Sequence, residues 1–372
     1  MAGATAPLAP GATIGILGGG QLGRMLALAA AQFGYKTHVL CPEADSPASH
    51  VATNTTRAEY TDEKALAAFA KAVDVVTYEF ENVPAATAAF LEKHTTVRPS
   101  WRALEIAQDR AKEKTFFTGI GVGTPPWRGV NTEAELARAV AEIGTPCVLK
   151  TARLGYDGKG QAKILKPQDT ATAWAAIVGA KAKPHPDGGP FAVLEGFVNF
   201  ACEISVIVAR GVDGTVKAFE PAENVHTNHI LDTSTVPARV DAGAIERAMA
   251  ATSLAAAKLD LVGLLAVEFF VTKRGDILAN EMAPRPHNSG HWTMDACATD
   301  QFQQMVRAVC GLPLVEPSRF ANVTMKNLIG DDVNQLSAYL ADPHAHVHLY
   351  GKAEARPGRK MGHVNVLRLQ KG

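Results

Sequence analysis

Short apolar runs alternate with segments of helical periodicity through the N-terminal quarter of the chain. The apolar runs Thr13–Leu17, Thr37–Leu40 and Val73–Tyr78 predict strands. Between the first two runs, apolar residues recur at helical spacing until Gly34, which ends the predicted helix. These helical positions are Leu22, Met25, Leu26, Ala29 and Phe33. Strands that alternate with helices predict a parallel sheet with helices on its faces.

The pattern changes at Ser100, which is predicted to cap a helix that carries Arg110 and ends at a Gly- and Pro-containing break. A second helix is predicted to begin after Thr132, because Glu135 three residues later completes a capping box. Gly144 is predicted to end this helix.

The remaining apolar runs predict a mixed arrangement of helices and strands. The predicted strands are Cys147–Thr151, Ala162–Leu165, a pair formed by Phe191–Leu194 and Glu203–Ala209, and a hairpin formed by Leu265–Thr272 and Ile277–Glu281. Short strands, turns and one helix are predicted from Pro313 onward. The chain is therefore predicted to be a multidomain protein that combines α/β and α+β parts, with boundaries near residues 100 and 315.

The composition is that of an ordinary globular protein. The chain has 372 residues, of which 47% are hydrophobic and 20% are charged. Its 37 basic and 37 acidic residues give no net charge, which argues against a chain that coats nucleic acid or an anionic membrane. No apolar stretch approaches the roughly 18 residues of a membrane span. We therefore expect neither nucleic acid nor a membrane as a partner.

The cysteines and the N-terminus bear on location. Five cysteines are scattered without a C-x-x-C pair, so we expect neither a disulfide framework nor a zinc site. This pattern favours a cytoplasmic location. Residues 1–12 lack a basic segment followed by a long apolar one, and we interpret them as a tail rather than a signal peptide.

The segment Gly18–Gly23 fits the pattern G-x-G-x-x-G between a predicted strand and a predicted helix. Glu43 follows the second strand, where the ribose-binding acid of a dinucleotide site would stand. A nicotinamide-dependent dehydrogenase is therefore one hypothesis. Glycines at a helix N-terminus also suit another anion or polar ligand, and a tight structural turn has the same sequence, so this motif alone leaves three interpretations open.

A second glycine-rich segment, Arg153–Gln161, lies between two predicted strands. Its three glycines and two cations suit a flap over phosphates, although it lacks the common P-loop pattern. Lys150, just before it, follows an apolar pair and needs an anionic partner, because burying a bare ammonium is costly. The alternative is a solvent-exposed hairpin with ordinary lysines.

The predicted hairpin near residue 270 places two glutamates opposite each other. If its loop has two residues, Thr272 faces Ile277. Counting back, Glu268 then faces Glu281 with Cβ atoms about 5 Å apart. Like charges so close need a cation, and carboxylates completed by phosphates describe a Mg²⁺–nucleotide site. A bulge would slip this register, and two exposed glutamates on a wet sheet face are the alternative.

Basic residues gather after this hairpin and near the C-terminus. Arg285 and His287 follow the hairpin, and Lys352 and Arg359 come later. A phosphate-gripping lysine, a flap and a carboxylate pair together serve phosphoryl transfer from ATP. Basic residues beside such a site indicate a second anionic substrate, and a solvated charged turn is the alternative for the C-terminal group.

Two groups of histidines are not expected to bind metal. His226 and His229 have no cysteine or carboxylate cluster beside them in the sequence. His344, His346 and His348 alternate as residues on a strand do.

Six motifs resemble those of one enzyme family. They are Gly15–Met25, Glu79–Val83, Gln108–Arg110, Gly155–Gln161, Asn280–His291 and Arg359–His363. Over nearly the whole chain they resemble the N5-carboxyaminoimidazole ribonucleotide synthase family, which are ATP-grasp enzymes of purine biosynthesis. The chain departs from the family at Leu154, where Gly is usual, and at residues 227–229, where a shorter polar-Gly turn is common.

The resemblance implies three domains and a reaction. The domains are a Rossmann-like domain that precedes the ATP-grasp domain (residues 1–100), the ATP-grasp domain (101–315) with a lid subdomain at about 124–195, and a small β-rich C-terminal domain (316–372). In the implied reaction ATP phosphorylates bicarbonate to carboxyphosphate, and the 5-amino group of aminoimidazole ribonucleotide is then carboxylated. The implied metal is Mg²⁺, with Mn²⁺ as an alternative, and the implied assembly is a homodimer.

The resemblance also implies roles for individual residues. Those implied to bind ATP are Arg110, Lys150, Gly155, Tyr156, Asp157, Gly158, Lys159, Gly160, Gln161, Glu195, Gly196, Phe197, Val198, Glu203, His226, Asn280 and Glu281. Those implied to surround the ribonucleotide and bicarbonate are Gly20, Gln21, Leu22, Glu79, Tyr156, Asp157, Arg285, His287, Asn288, Ser289, Lys352 and Arg359. The implied catalytic residues are Arg285, His287, Asp157 and Lys352, and the implied metal ligands are Glu268 and Glu281.

Three other functions remain open at this point. They are another ATP-grasp carboxylase or ligase with a different acceptor, a nicotinamide oxidoreductase, and a binding protein without activity. Dependence of ATP turnover on the ribonucleotide tests for a ligase with a different acceptor. NADH binding tests for an oxidoreductase, and ADP release tests for a binding protein without activity.

Overall fold

The structure is a computed structural model that describes residues 6–155, 160–179 and 188–368. Its N-terminal part consists of the strands β1 (Thr13–Leu17), β2 (Lys36–Cys41), β3 (Asn54–Arg57) and β4 (Val75–Tyr78) and the helices α1 (Gln21–Gln32), α2 (Glu63–Lys71) and α3 (Ala85–Glu92). The strands are parallel in the order β3-β2-β1-β4. The predicted parallel sheet is confirmed, and β3 is an additional strand whose polar sequence did not indicate one.

The helix predicted to run from Ser100 through Arg110 is two helices, α4 (Trp101–Ala107) and α5 (Arg110–Gly119). Asp109 separates them, because its backbone is extended and its carboxylate accepts hydrogen bonds from two amides of the following turn. A capping residue has a non-helical backbone, so the cap that begins α5 also ends α4. Arg110 therefore opens a helix of its own.

The second sheet is small and antiparallel. It consists of the strands β5 (Trp127–Val130), β6 (Cys147–Thr151), β7 (Gln161–Ile164) and β8 (Ala192–Gly196), with the helices α6 (Glu133–Ile143) and α7 (Thr170–Gly179) packed on it. The strand order is β5-β8-β6-β7. Thr132 caps α6 as predicted, since its hydroxyl accepts from the amide of Glu135 at 3.1 Å. The predicted capping box is incomplete, because the Glu135 carboxylate accepts from the amide of Asn131 and not from that of Thr132.

The third sheet contains nine strands within the described residues. They are β9 (Phe200–Arg210), β10 (Val216–Ala218), β11 (Ala222–Thr227), β12 (Ile230–Val236), β13 (Gly263–Thr272), β14 (Ile277–Ala283), β15 (Asn322–Ile329), β16 (Ala345–Leu349) and β17 (Lys360–Arg368). Their order is β14-β13-β9-β11-β12-β15-β17-β16, with β10 beside β9. The predicted pairing of Phe191–Leu194 with Glu203–Ala209 is wrong. Strand β8 pairs with β5 and β6, whereas β9 pairs with β11 and β13, so neither offers an edge to the other.

The remaining helices link these sheets. They are α8 (Ala242–Lys258), α9 (Thr293–Ala296), α10 (Gln301–Cys310) and α11 (Leu336–Leu340). Helix α1 packs against α10, and Leu26, Met305, Met325 and Leu367 belong to one buried cluster, so the N-terminal part shares a core with the third sheet. None of the helices in the described residues combines the length and apolar character that a membrane crossing needs.

Candidate active site

One cleft, a cavity of about 880 Å³, gathers most of the residues that the sequence marked. The predicted site residues that line it are Gly20, Gln21, Leu22, Glu79, Arg110, Lys150, Gly155, Gly160, Gln161, Glu195, Gly196, Phe197, Val198, Glu203, His226, Glu268, Asn280, Glu281, Arg285, His287, Asn288, Lys352 and Arg359. Ser289 is not among the lining residues, and Tyr156, Asp157, Gly158 and Lys159 lie outside the described residues. Residues from all three sheets and from both ends of the chain thus face one space.

The carboxylate pair depends on the register of β13 and β14. Val271, and not Thr272 as predicted, lies opposite Ile277. A β-bulge then inserts one extra residue into β14 and brings Glu268 opposite Glu281. The predicted pair is present because the longer turn and the bulge compensate each other.

Glu268, Glu281 and His287 each present a donor atom, and these atoms lie within 4.8 Å of one another. Burial of Glu268, together with the neighbouring Glu281, raises its pKa to about 8. A divalent cation would relieve this repulsion, and oxygen ligands are those that Mg²⁺ prefers. The residues therefore fit a magnesium ion. Arg110, at 3.7 Å from Glu281, is a further positive group on this side of the cleft.

A second group of donor atoms shares Glu268. Glu203, His226 and Glu268 also present atoms within 4.8 Å of one another, and Nδ1 of His226 lies 2.8 Å from Oε2 of Glu203. The expectation that no carboxylates accompany His226 is therefore wrong. Burial opposes protonation of His226, but Glu203 and Glu268 outweigh it and raise its pKa. Sequence reasoning missed this group because its members lie on three strands whose pairing the sequence does not reveal.

Lys150 has the anionic partner that its apolar surroundings demand. Its ammonium lies 2.8 Å from Oε2 of Glu195, and that of Lys114 lies 3.2 Å from Oε1. Burial alone would raise the pKa of Glu195, but the two lysines lower it to about 2. Lys114 is fully buried and also donates to the carbonyl of Asn280 at 3.3 Å, so it joins the second sheet to the bulge in β14. Nothing in the sequence of α5 marks this lysine as buried.

The flap begins with an unusual backbone conformation. Leu154 has φ +62°, in the left-handed region that favours glycine. This is the position at which the resembled family usually has Gly. The Arg110 guanidinium donates to the carbonyl of Gly155 at 3.3 Å, and so links α5 to the start of the flap.

The first glycine loop binds a carboxylate of the protein itself. Glu79 accepts hydrogen bonds from the amides of Gly20 at 2.8 Å and Gly23 at 3.2 Å. A Cβ on Gly18 would lie 2.5 Å from Oε1 of Glu79, so this close approach requires glycine. The amides that would hold the pyrophosphate of a dinucleotide are therefore occupied, which argues against the dehydrogenase hypothesis.

Arg285 and His287 stand on the segment that follows β14. Arg285 forms an ion pair with Glu81, a partner that sequence reasoning missed, and burial lowers the pKa of Arg285 to about 10. Burial and the nearby Arg285 hold the pKa of His287 well below its usual range. Ser289 is also predicted to contact the substrate, and this stays a prediction. Ser289 is fully buried, and its hydroxyl lies 2.8 Å from Nδ1 of His287.

The C-terminal cations Lys352 and Arg359 line the same cleft as the first glycine loop. Burial raises the pKa of Glu79, and the hydrogen bonds from Gly20 and Gly23 and the charges of Arg285 and Lys352 oppose this rise. The Lys352 ammonium donates to the carbonyl of Lys360 at 2.6 Å, and Arg359 donates to a backbone carbonyl at 3.0 Å. We call the part of the cleft lined by the carboxylates around Glu268 the carboxylate end and the part lined by Glu79, Arg285 and Lys352 the cationic end, and the charge of Lys360 acts on Glu268 as well.

Models of three domain families match the chain. They are the ribonucleotide synthetase preATP-grasp domain at residues 11–108, the ATP-grasp domain at 115–302 and the phosphoribosylaminoimidazole carboxylase C-terminal domain at 323–371.

Similar proteins match over almost their whole length. N5-carboxyaminoimidazole ribonucleotide synthase of Brucella melitensis is 51% identical over 97% of this chain and 98% of its own length. The protein of that name from Bacillus subtilis is 43% identical over 96% of this chain and 92% of its own length. An ADP complex of an N5-carboxyaminoimidazole ribonucleotide synthetase matches with a TM-score of 0.92 at 45% identity, over 98% of this chain and 94% of its own. The N5-carboxyaminoimidazole synthase of Aspergillus clavatus, in complex with ADP and 5-aminoimidazole ribonucleotide, matches with a TM-score of 0.88 at 30% identity, over 97% of this chain and 94% of its own.

Proposed function

The chain belongs to the N5-carboxyaminoimidazole ribonucleotide synthase family of ATP-grasp ligases, and we propose that its cleft carboxylates 5-aminoimidazole ribonucleotide with bicarbonate and ATP. The products are N5-carboxyaminoimidazole ribonucleotide, ADP and phosphate, as a step of purine biosynthesis. The observation that carries this proposal is that one cleft holds the facing carboxylates of Glu268 and Glu281 at one end and Glu79 with its neighbouring cations at the other.

The carboxylate end suits the phosphates of ATP with a magnesium ion. Glu268 and Glu281 would hold the ion, which when bound neutralises charge on the transferred phosphoryl group. Lys150 and Arg110 supply fixed positive charge there, and Glu195 keeps Lys150 in place. A bicarbonate oxygen attacks the γ-phosphorus, ADP leaves, and carboxyphosphate forms. Positioning and charge neutralisation are most of what such a transfer requires.

The cationic end suits the second step. The amine nitrogen of the ribonucleotide attacks the carboxyl carbon, phosphate leaves, and the nitrogen gives up a proton. Arg285 neutralises the anionic intermediate. The candidates to take this proton are His287, which lines the cleft, and Asp157, which lies outside the described residues. Closure of the flap protects carboxyphosphate from water.

The assembly and location belong to the same proposal. We propose a homodimer that works in the cytoplasm, on the basis of the family and of the scattered cysteines without a C-x-x-C pair. Light scattering coupled to size-exclusion chromatography tests the dimer, and a mass of one chain would contradict it.

ADP release with and without the ribonucleotide tests the reaction. We expect ADP formation to require bicarbonate and to rise when 5-aminoimidazole ribonucleotide is added. Label from ¹³C-bicarbonate should appear on the exocyclic nitrogen of the product. ADP release that ignores the ribonucleotide would indicate a ligase with another acceptor.

Two variants test the cationic end. Lys352→Ala and Arg359→Ala should each raise KM for the ribonucleotide at least about tenfold and leave KM for ATP nearly unchanged, because they remove charge from one end of the cleft. Arg356→Ala is the matched control, since this exposed arginine of the same segment pairs with Glu354. Equal changes in both KM values would contradict the assignment of Lys352 and Arg359 to the site that binds the ribonucleotide.

A further inference from the structure

Three side chains of the third sheet surround a point beside the carboxylate pair. Glu203 lies on β9, His226 on β11 and Glu268 on β13, and their donor atoms are within 4.8 Å of one another. Nδ1 of His226 forms an ion pair with Oε2 of Glu203 at 2.8 Å. The three donor atoms are close enough together to share one ion.

Both donor groups contain two carboxylates and one imidazole, but the ring nitrogen lies 2.8 Å from a carboxylate oxygen here and 3.8 Å from one in the group that contains His287. Mg²⁺ selects oxygen ligands, whereas an imidazole nitrogen suits Zn²⁺ and other borderline transition metals. We propose that Glu203, His226 and Glu268, here called the imidazole site, bind a transition-metal ion such as Zn²⁺ in the nucleotide-free protein. The two carboxylates supply the negative charge, and the ring nitrogen supplies the selectivity over magnesium.

Occupation of the imidazole site would exclude the magnesium complex of ATP. Glu268 belongs to both donor groups, so it is unable to complete both sites in the same way. The resemblance to the family implies that Glu203 binds ATP. Zn²⁺ at the imidazole site therefore acts as an inhibitor that competes with the nucleotide. This consequence rests on the proposed function, whereas binding of the ion does not.

Titration with Zn²⁺ alone, without nucleotide or substrate, tests the site. Competition with a chromophoric chelator should show one equivalent bound, in a Cys202→Ser background that removes the half-buried thiol. Loss of partners outside the ligand set typically costs about 10–100-fold in metal affinity. Loss of a ligand should cost at least as much, so we expect His226→Asn to bind Zn²⁺ at least about tenfold more weakly.

Two variants serve as matched controls. His229→Asn removes the neighbouring imidazole, which lines the same cleft but is not a member of the site, and should leave the affinity unchanged. Glu281→Gln removes a ligand of the other donor group and a nearby negative charge, and should lower the affinity less than His226→Asn does. Glu203→Gln, checked for folding by circular dichroism as the others are, provides a second loss-of-ligand variant.

The outcomes separate the alternatives. The proposal is overturned if His226→Asn and Glu203→Gln both bind Zn²⁺ as tightly as the parent, or if either control loses as much affinity as they do. ADP should displace Zn²⁺ from the parent protein. Zn²⁺ binding that ADP leaves unaffected would retain the imidazole site but contradict the placement of Glu203 in the nucleotide site.

Discussion

Glu195 and Glu268 are both buried in the same cleft, at 3% and 8% exposure, yet their pKa values move in opposite directions. Glu195 lies between the ammonium groups of Lys114 and Lys150, which lower its pKa to about 2 although burial alone would raise it. Glu268 faces Glu281, and burial together with this second carboxylate raises its pKa to about 8.

The difference lies in how the charge of each carboxylate is compensated. The charge of Glu195 is compensated within the protein, so this residue holds the lysines and the second sheet in place. The charge of Glu268 is repelled by Glu281 and is compensated only in part by His226 and Lys360, and a cation from solution would complete the compensation. Burial alone therefore does not identify a site, and the sign of the neighbouring charges does.

The largest expected effect is on turnover. Glu281→Gln retains the size of the side chain but removes one charge from the pair that faces Glu268. Loss of the metal's contribution of several kcal/mol should lower ATP turnover at least about 100-fold while the circular dichroism spectrum is retained. An unchanged rate at saturating Mg²⁺ would show that the pair does not hold the metal.

The next effect is on stability. Glu195→Gln leaves Lys114 and Lys150 buried without their anion and should lower the free energy of unfolding by about 3–5 kcal/mol, as measured by urea denaturation. Glu142→Gln is the control, because its partner Arg128 lies at the surface, and it should cost no more than about 1 kcal/mol. An equal loss of unfolding free energy in the two variants would contradict a structural role for Glu195.

The opposite sign is expected at Glu268. In metal-free protein at pH 8, Glu268→Gln removes a buried charge that Glu281 repels, and should raise the free energy of unfolding by on the order of 1 kcal/mol. Turnover should be lost in the same variant. If Glu268→Gln melts at a lower temperature than the parent protein in EDTA, then the charge of Glu268, like that of Glu195, stabilises the fold.

The smallest effect is a dependence on pH. The pKa of Glu268 is raised from 4.5 to about 8 on folding, so its contribution to stability is fully present below 4.5 and is lost as the pH rises to about 8. Glu195 has a lowered pKa, and its contribution is present above 4.5 and lost as the pH falls toward 2. The advantage of Glu268→Gln over the parent should therefore disappear near pH 5. An advantage that stays constant from pH 5 to pH 8 would contradict this assignment.

Local counting along the chain predicted the carboxylate pair but not the reason for it. The hairpin is recognisable from its apolar runs, and only two strands enter the count. The turn is one residue longer than predicted, and the bulge at Asn280 restores the register. A bulge of this kind has no sequence signature that distinguishes it from a polar residue facing solvent.

Contacts between distant segments were out of reach. The carboxylates beside His226, the Glu81 partner of Arg285 and the buried position of Lys114 all depend on which elements pack together. The predicted pair of strands that belong to different sheets failed for the same reason. The predicted family is confirmed, since the motifs that indicate it are read directly from the chain. The roles of individual residues in binding and catalysis stay predictions.

The buried cluster shared by α1, α10 and β17 limits which fragments of this protein can fold on their own. A fragment that ends near residue 108 would leave Leu26 in water, because Met305 and Leu367 in the same cluster lie far along the chain. Each large apolar side chain exposed in this way forfeits about 1.5–3 kcal/mol, a sizeable share of a domain's whole stability. We expect such a fragment to aggregate. Chimaeras that exchange the N-terminal part between relatives should therefore carry α10 from the same parent.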